Sequence, residues 1–256
     1  MRLTKGWGAF MKPIVSIISL FFILFLPSTG LPLSQVIDNA DAVDFHTVGI
    51  WNSSSFYPQY YGSNYQYTSS GSGLKTATWS FTIPTPGDYE IAAWWVSADD
   101  RAPDAPYTIY NNGNALGTVL ADQRLQGGRF VALGVYALAS GSLEVVLSDD
   151  VSSGFVMADA VRVATSHTIT VLAGANGSIF PDGAVAVTEG NDQSFTITPD
   201  SGYQIQDVLL DGGSVGAVNT YTLPSVNADH TLEASFQASP VDIVDNLDGL
   251  DFHTVG

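Results

Sequence analysis

The chain predicts an all-β fold, a β-sandwich followed by a smaller β-rich module, and three observations carry that prediction. From Gln35 to Thr165 the apolar residues alternate with polar ones or form short runs bounded by Gly, Pro, Asn or Asp. From His167 to Gln237 the strand-like runs become shorter and the Gly and Asp turns tighter. No window sustains the 3.6-residue periodicity of a helix.

Before the first strand lies a different kind of segment. Arg2, Lys5 and Lys12 precede the apolar run Ile14–Leu26, and Pro27-Ser28-Thr29-Gly30 follows it. That order predicts a signal peptide over residues 1–30, with Met11 an alternative start. The run is short of the roughly 20 residues that a spanning helix needs, and no later segment could span a membrane. Secretion, or display at the cell surface, is the expected location.

The strands then follow in order. Thr76–Ile83 (TATWSFTI) leads through Pro84-Thr85-Pro86-Gly87 into Tyr89–Val96 (YEIAAWWV). Tyr107–Tyr110, Thr118–Ala121, Phe130–Ala137 and Leu143–Ser148 continue the series, and Phe155–Val163 closes it. Short strands at such spacing indicate a sandwich or barrel. In YEIAAWWV the adjacent Trp94 and Trp95 must face opposite sides of a strand. Tyr89, Ile91, Ala93 and Trp95 make the better core face, which leaves Trp94 on the outside with Glu90.

Charge and composition exclude several functions. The net charge is −17. Without residues 1–30 it becomes −20, because five basic residues remain against 25 acidic ones. Such a surface repels phosphate backbones and excludes nucleic acid as a partner. There is no cysteine, so disulfides, thiolate metal sites and cysteine nucleophiles are excluded.

The sequence also repeats itself. Val36–Gly49 reads VIDNADAVDFHTVG and Ile243–Gly256 reads IVDNLDGLDFHTVG, at a constant offset of 207 residues. Residues 238–256 therefore read as a linker and the truncated start of a second copy, as in a fragment of a modular array.

In the first unit the pieces VIDN, WNSSS, YYGSNY, a TATW strand, PTPGDYEIAAWW, DRAPDAPYTIY, GGRFVALGVY and FVMADAVRV stand in a recognisable order. Together they resemble the carbohydrate-binding-like domain found in golvesin and at the end of xanthan lyases, over about 34–165. The resemblance implies a jelly-roll sandwich and a polysaccharide ligand. The segment 166–237 carries GSI, TITPDSGY, VLLDGGSVG and ADHTLEASF. It resembles the bacterial surface repeats related to the internalin B-repeat, which implies a spacer or adhesive module without catalytic residues.

Catalytic patterns are missing. No G-x-S-x-G elbow, phosphate-binding glycine loop or metalloprotease helix occurs, and Asp99-Asp100 and Asp149-Asp150 read as solvated turns. The chain is expected not to be an enzyme. Sugar binding has better material, because saccharides pack their C–H faces on aromatic rings while polar groups bond the hydroxyls. Phe56–Tyr67 (FYPQYYGSNYQY) gathers six aromatics among polar residues, as a ligand platform or as a loop folded over one end of the sandwich. Tyr60, Tyr61, Tyr65 and the outward Trp94 are the candidate sugar contacts. Arg101 in DDRAPDAPY either braces its loop against a neighbouring Asp or presents its donor fork to a uronate or hydroxyl pair.

Related jelly-roll modules commonly hold a structural calcium between acids near the first strand and an Asp on the last. Asp38, Asp41, Asp44 and Asp159 are the corresponding candidates here, with an Asp159–Arg162 pair or first-strand amides the alternatives. The expected function is non-catalytic attachment to polysaccharide. Spacer repeats of a stalk, or accessory modules of an enzyme encoded elsewhere, are the alternatives.

Overall fold

The computed structural model describes residues 33–240. The predicted signal segment 1–30 and the repeated segment 243–256 lie outside the described residues. Among the described residues every regular element is a strand, and no helix is long and apolar enough to cross a membrane. The all-β prediction holds.

The first unit contains β1 (Ser34–Asp38), β2 (Phe45–Val48), β3 (Asn52–Ser54), β4 (Tyr65–Ser69), β5 (Thr76–Ile83), β6 (Gly87–Trp94), β7 (Ala105–Asn111), β8 (Asn114–Ala121), β9 (Val131–Leu138), β10 (Gly141–Ser148), β11 (Phe155–Ala158) and β12 (Ala160–Ala173). One sheet runs β2-β5-β10-β7-β8, and in the facing one β12 pairs with β6 and β1 while β6 pairs with β9. A third, small sheet, β11-β4-β3, carries the candidate site. Strand period 2 builds the core between the large sheets. Ala77, Trp79, Phe81 and Ile83 of β5 point inward, as do Leu143, Val145 and Leu147 of β10 and Val161 and Val163 of β12, all buried. The Trp79 ring stacks on Tyr107 and tilts against Phe45, with centroids 6.3 and 5.2 Å away. Burying a side chain of this kind contributes roughly 1.5–3 kcal/mol.

Trp95 is buried and its indole Nε1–H donates to the Leu125 carbonyl (2.9 Å), while Trp94 lies on the opposite side, half-buried. The parity read from the sequence is therefore the observed one.

The second unit adds β13 (Gly177–Phe180), β14 (Gly183–Thr188), β15 (Gln193–Pro199), β16 (Tyr203–Leu210), β17 (Gly213–Gly216), β18 (Thr220–Leu223) and β19 (His230–Ala238). Its core gathers Ile169, Ile179, Phe195, Ile197, Val208 and Leu232. The strand β12 belongs to both units. Residues 160–165 pair with β1 and β6, 166–171 pair with β14, and 169–173 run parallel to β19. Thr165-Ser166-His167-Thr168 looks like a polar junction in the sequence, yet the backbone ladder runs straight through it. A side-chain clasp reinforces the seam: Arg162 pairs with Glu90, which accepts a hydrogen bond from Thr188 Oγ1 (2.9 Å).

Candidate functional site

The site rests on the outer face of the small sheet. Alternation along β4 places Tyr65, Tyr67 and Ser69 on one face. The antiparallel register sets Ser54 opposite Tyr65, Asn52 opposite Tyr67, and Phe155 opposite Ser69. Beside this face runs the loop that carries Asp100 and Arg101. The Phe155 amide donates to the Asp100 carbonyl and the Ala102 amide donates to the Phe155 carbonyl, both at 2.9 Å. Gly154 permits that approach. Its φ is +85°, and a Cβ there would stand 2.6 Å from the Arg101 carbonyl oxygen. Buried Gln123 anchors β11 from below, donating to the Met157 carbonyl and accepting from the Met157 amide, each at 2.8 Å.

These elements enclose a pocket of about 250 Å³ lined by Ser54, Phe56, Tyr57, Tyr65, Tyr67, Asp100, Arg101 and Phe155. Arg101 is only 6% exposed, although it is among the few cations of an acidic protein. Its Nη1 donates to Asp100, and the guanidinium carbon lies 5.1 Å from the centre of the Tyr57 ring. Its Nε–H is buried and has no hydrogen-bond partner among the described residues. Tyr67 bridges the aromatic wall, 6.3 Å from Tyr65 and edge-on to Phe155 at 5.8 Å. Rings, hydroxyls, a carboxylate and a fixed donor fork are the groups that hold a sugar.

The candidates named from the sequence separate into two places. Tyr65 and Arg101 line the pocket. Tyr61 and Trp94 pack against each other (5.5 Å) and against Phe130, whose other neighbour is the Arg162 guanidinium at 4.9 Å. The Trp94 indole Nε1–H is itself used, donating to the Gln59 carbonyl at 2.6 Å. Tyr60 is half-buried and packs against the sandwich core. Phe56, Tyr57 and Tyr67 belong to the aromatic run flagged in the sequence. Phe155 carried no signal of its own, since only the register of β11 brings it in, whereas Asp100 is one of the neighbouring acids that the sequence offered as a brace for Arg101 and does pair with it.

The acidic candidates are distributed unevenly. Asp159 is fully buried at the break between β11 and β12, and its carboxylate accepts the Tyr61 amide at 3.2 Å. Loss of hydration pushes it up to about 8, and the Asp38 charge adds to the rise. Asp38 is raised in its turn by burial and, to a lesser degree, by Asp41, whose Oδ2 accepts the Asp38 amide at 2.8 Å. Gly62, at φ +65°, presses against Asp38 so closely that a Cβ would meet Oδ2 at 2.3 Å. Asp44 joins the fold through its carbonyl, which accepts the Ser80 amide. Among the described residues, no group of three or more His, Asp or Glu side chains is placed to hold a metal ion. Arg162 is committed to Glu90, so it is not the ion-pair partner that the sequence allowed for Asp159.

The first unit is a two-sheet β-sandwich with an aromatic pocket at one side, joined to a small β module. Residues 35–165 match the model of the Golvesin C-terminal domain, and residues 167–240 match the Divergent InlB B-repeat domain. The first match spans half of the chain, which therefore belongs to the Golvesin C-terminal domain family over that stretch. Among curated relatives, xanthan lyase of Bacillus sp. (strain GL1) is 32% identical over 136 residues, 50% of this chain and 14% of that enzyme's length. The solved xanthan lyase of Paenibacillus is 29% identical over 52% of this chain and 13% of its own, with a TM-score of 0.48. A family 35 carbohydrate-binding module from Clostridium thermocellum aligns at 14% identity, 51% and 98% coverage and a TM-score of 0.42.

Proposed function

We propose that this chain is a non-catalytic protein, secreted or held at the cell surface, that binds polysaccharide through the pocket between β4, β11 and the Arg101 loop. One observation carries the reading. A buried guanidinium with an unpartnered donor sits among Tyr57, Tyr65, Tyr67 and Phe155 in an otherwise acidic protein. A buried N–H without an acceptor costs roughly 1–3 kcal/mol, a cost that a ligand oxygen would offset. The aromatic rings supply the faces on which pyranose C–H groups pack. The kinship of 35–165 with golvesin and with a segment of xanthan lyase supports a glycan as the ligand, and makes xanthan the first polysaccharide to try.

In this reading Arg101 and Tyr65 form the floor, Tyr57 and Phe56 the lip, and Tyr67 with Phe155 the far wall. Tyr60, Tyr61 and Trp94 shape the neighbouring loop. The second module, sharing β12 with the first, serves as a stiff spacer that fixes the orientation of the pocket. A glycan array that includes xanthan, probed with the protein and with Arg101→Ala, tests the proposal. Selective binding that the variant loses supports it. A blank array, or binding unchanged by the variant, contradicts it.

A further inference from the structure

The pocket does not end at its far wall. Tyr67 and Phe155 also line a second, wider recess of about 740 Å³, which continues along the small sheet to Asn52, Ser69, Leu74 and Lys75. The two spaces thus share a wall and lie in line along β4. From Tyr65 to Ser69 the strand advances about 13 Å, the length of about two or three linked pyranose rings. Ile50 and Leu74, which bound the recess, are 77% and 78% exposed, an unusual place for two large aliphatic side chains beside aromatic rings.

The far end is rigid. Lys75 Nζ donates to Thr68 Oγ1 and to the Ser69 carbonyl, both at 2.8 Å, and pairs with buried Asp149 at 3.1 Å. Asp149 also accepts the Gly73 amide at 2.8 Å. With its charge already matched, Lys75 forms a fixed rim and not a hook for a terminal anion. The recess therefore offers hydroxyl, amide and apolar surface along its length.

We infer that the two spaces form one groove that takes an internal stretch of a polysaccharide, about three sugar residues, with the Arg101 pocket as its deep subsite. This rests on the glycan reading above and specifies how the chain lies. The test is calorimetric titration of the protein with gluco-, manno-, xylo- and galacturono-oligosaccharides of one to six residues, repeated with Leu74→Ala and Ile50→Ala. Both substitutions are at exposed positions, so folding is preserved. Affinity for the series that binds is expected to rise at least tenfold between one and three residues and then to level off. Leu74→Ala is expected to weaken the trisaccharide several-fold and leave the monosaccharide unchanged. Length-independent affinity, or variants indistinguishable from the parent at every length, would overturn the groove while leaving the Arg101 pocket standing. Failure of every series to bind would overturn the glycan reading itself and the groove with it.

Discussion

Asp159 is the residue whose removal should strengthen the fold. It is fully buried, its pKa stands at about 8 against the 3.8 of an unhindered aspartate, and the principal cause is lost hydration. Because the folded-state value is raised, the protonated carboxyl contributes stability below pH 4, where both states hold the proton. That contribution is lost as pH rises toward 8, since the unfolded chain releases the proton first. Each pH unit in that window costs up to about 1.4 kcal/mol, so the loss approaches an upper limit of about 6 kcal/mol. Asp38, raised in the same direction, adds to the trend. Asp159→Asn retains the size of the side chain and an oxygen for the Tyr61 amide but carries no charge. Urea unfolding of both proteins in EDTA at pH 4.5, 6, 7.5 and 9 isolates the effect from the titration of other acids. The variant should match the parent near pH 4.5 and exceed it by about 3–5 kcal/mol above pH 8. A parent–variant difference that stays flat over that range, or a variant several kcal/mol weaker at pH 8, would contradict this. So would calcium that stabilises the parent at pH 8 and not the variant, because a bound cation would then be what compensates the carboxylate.

Three other substitutions separate site from scaffold. Tyr57→Ala, at a 37% exposed position over Arg101, should weaken glycan binding about tenfold with little change in melting temperature, read by titration and calorimetry together. Tyr61→Ala breaks the cluster with Trp94 and Phe130 and should instead cost about 2–4 kcal/mol of stability, with affinity retained. Ser166→Pro falls in the middle of β12, where a missing amide and a fixed φ cost about 3 kcal/mol or more; it should split one calorimetric transition into two.

Strand-level structure was largely legible. TATWSFTI is β5 residue for residue, because every second position had to be apolar to face a core. Trp94 and Trp95 sorted correctly for the same reason. An Asp inside FVMADAVRV announced its own difficulty, although it marks a break between strands and not a strand interior. The pocket was only half legible. Tyr65 and Arg101 have distinctive local sequence, but Phe155 becomes a wall only through the pairing of β11 with β4, a long-range register that no local pattern encodes. Tyr61 and Trp94 looked exposed in isolation, and each covers the other in the fold. The continuity of β12 was hidden because its polar centre reads as a linker, while the backbone pairing that carries it on, to β1 and β6 and then to β14, is long-range.

Glycan is proposed to enter between β4, β11 and the Arg101 loop. Amide and side-chain chemical-shift mapping by NMR, during titration with whichever oligosaccharide binds in the array, tests it most directly. The expected shifts are concentrated at Ser54, Tyr57, Tyr65, Tyr67, Arg101 and Phe155. Shifts centred on Tyr61, Trp94 and Phe130, with the Arg101 loop unmoved, would contradict it.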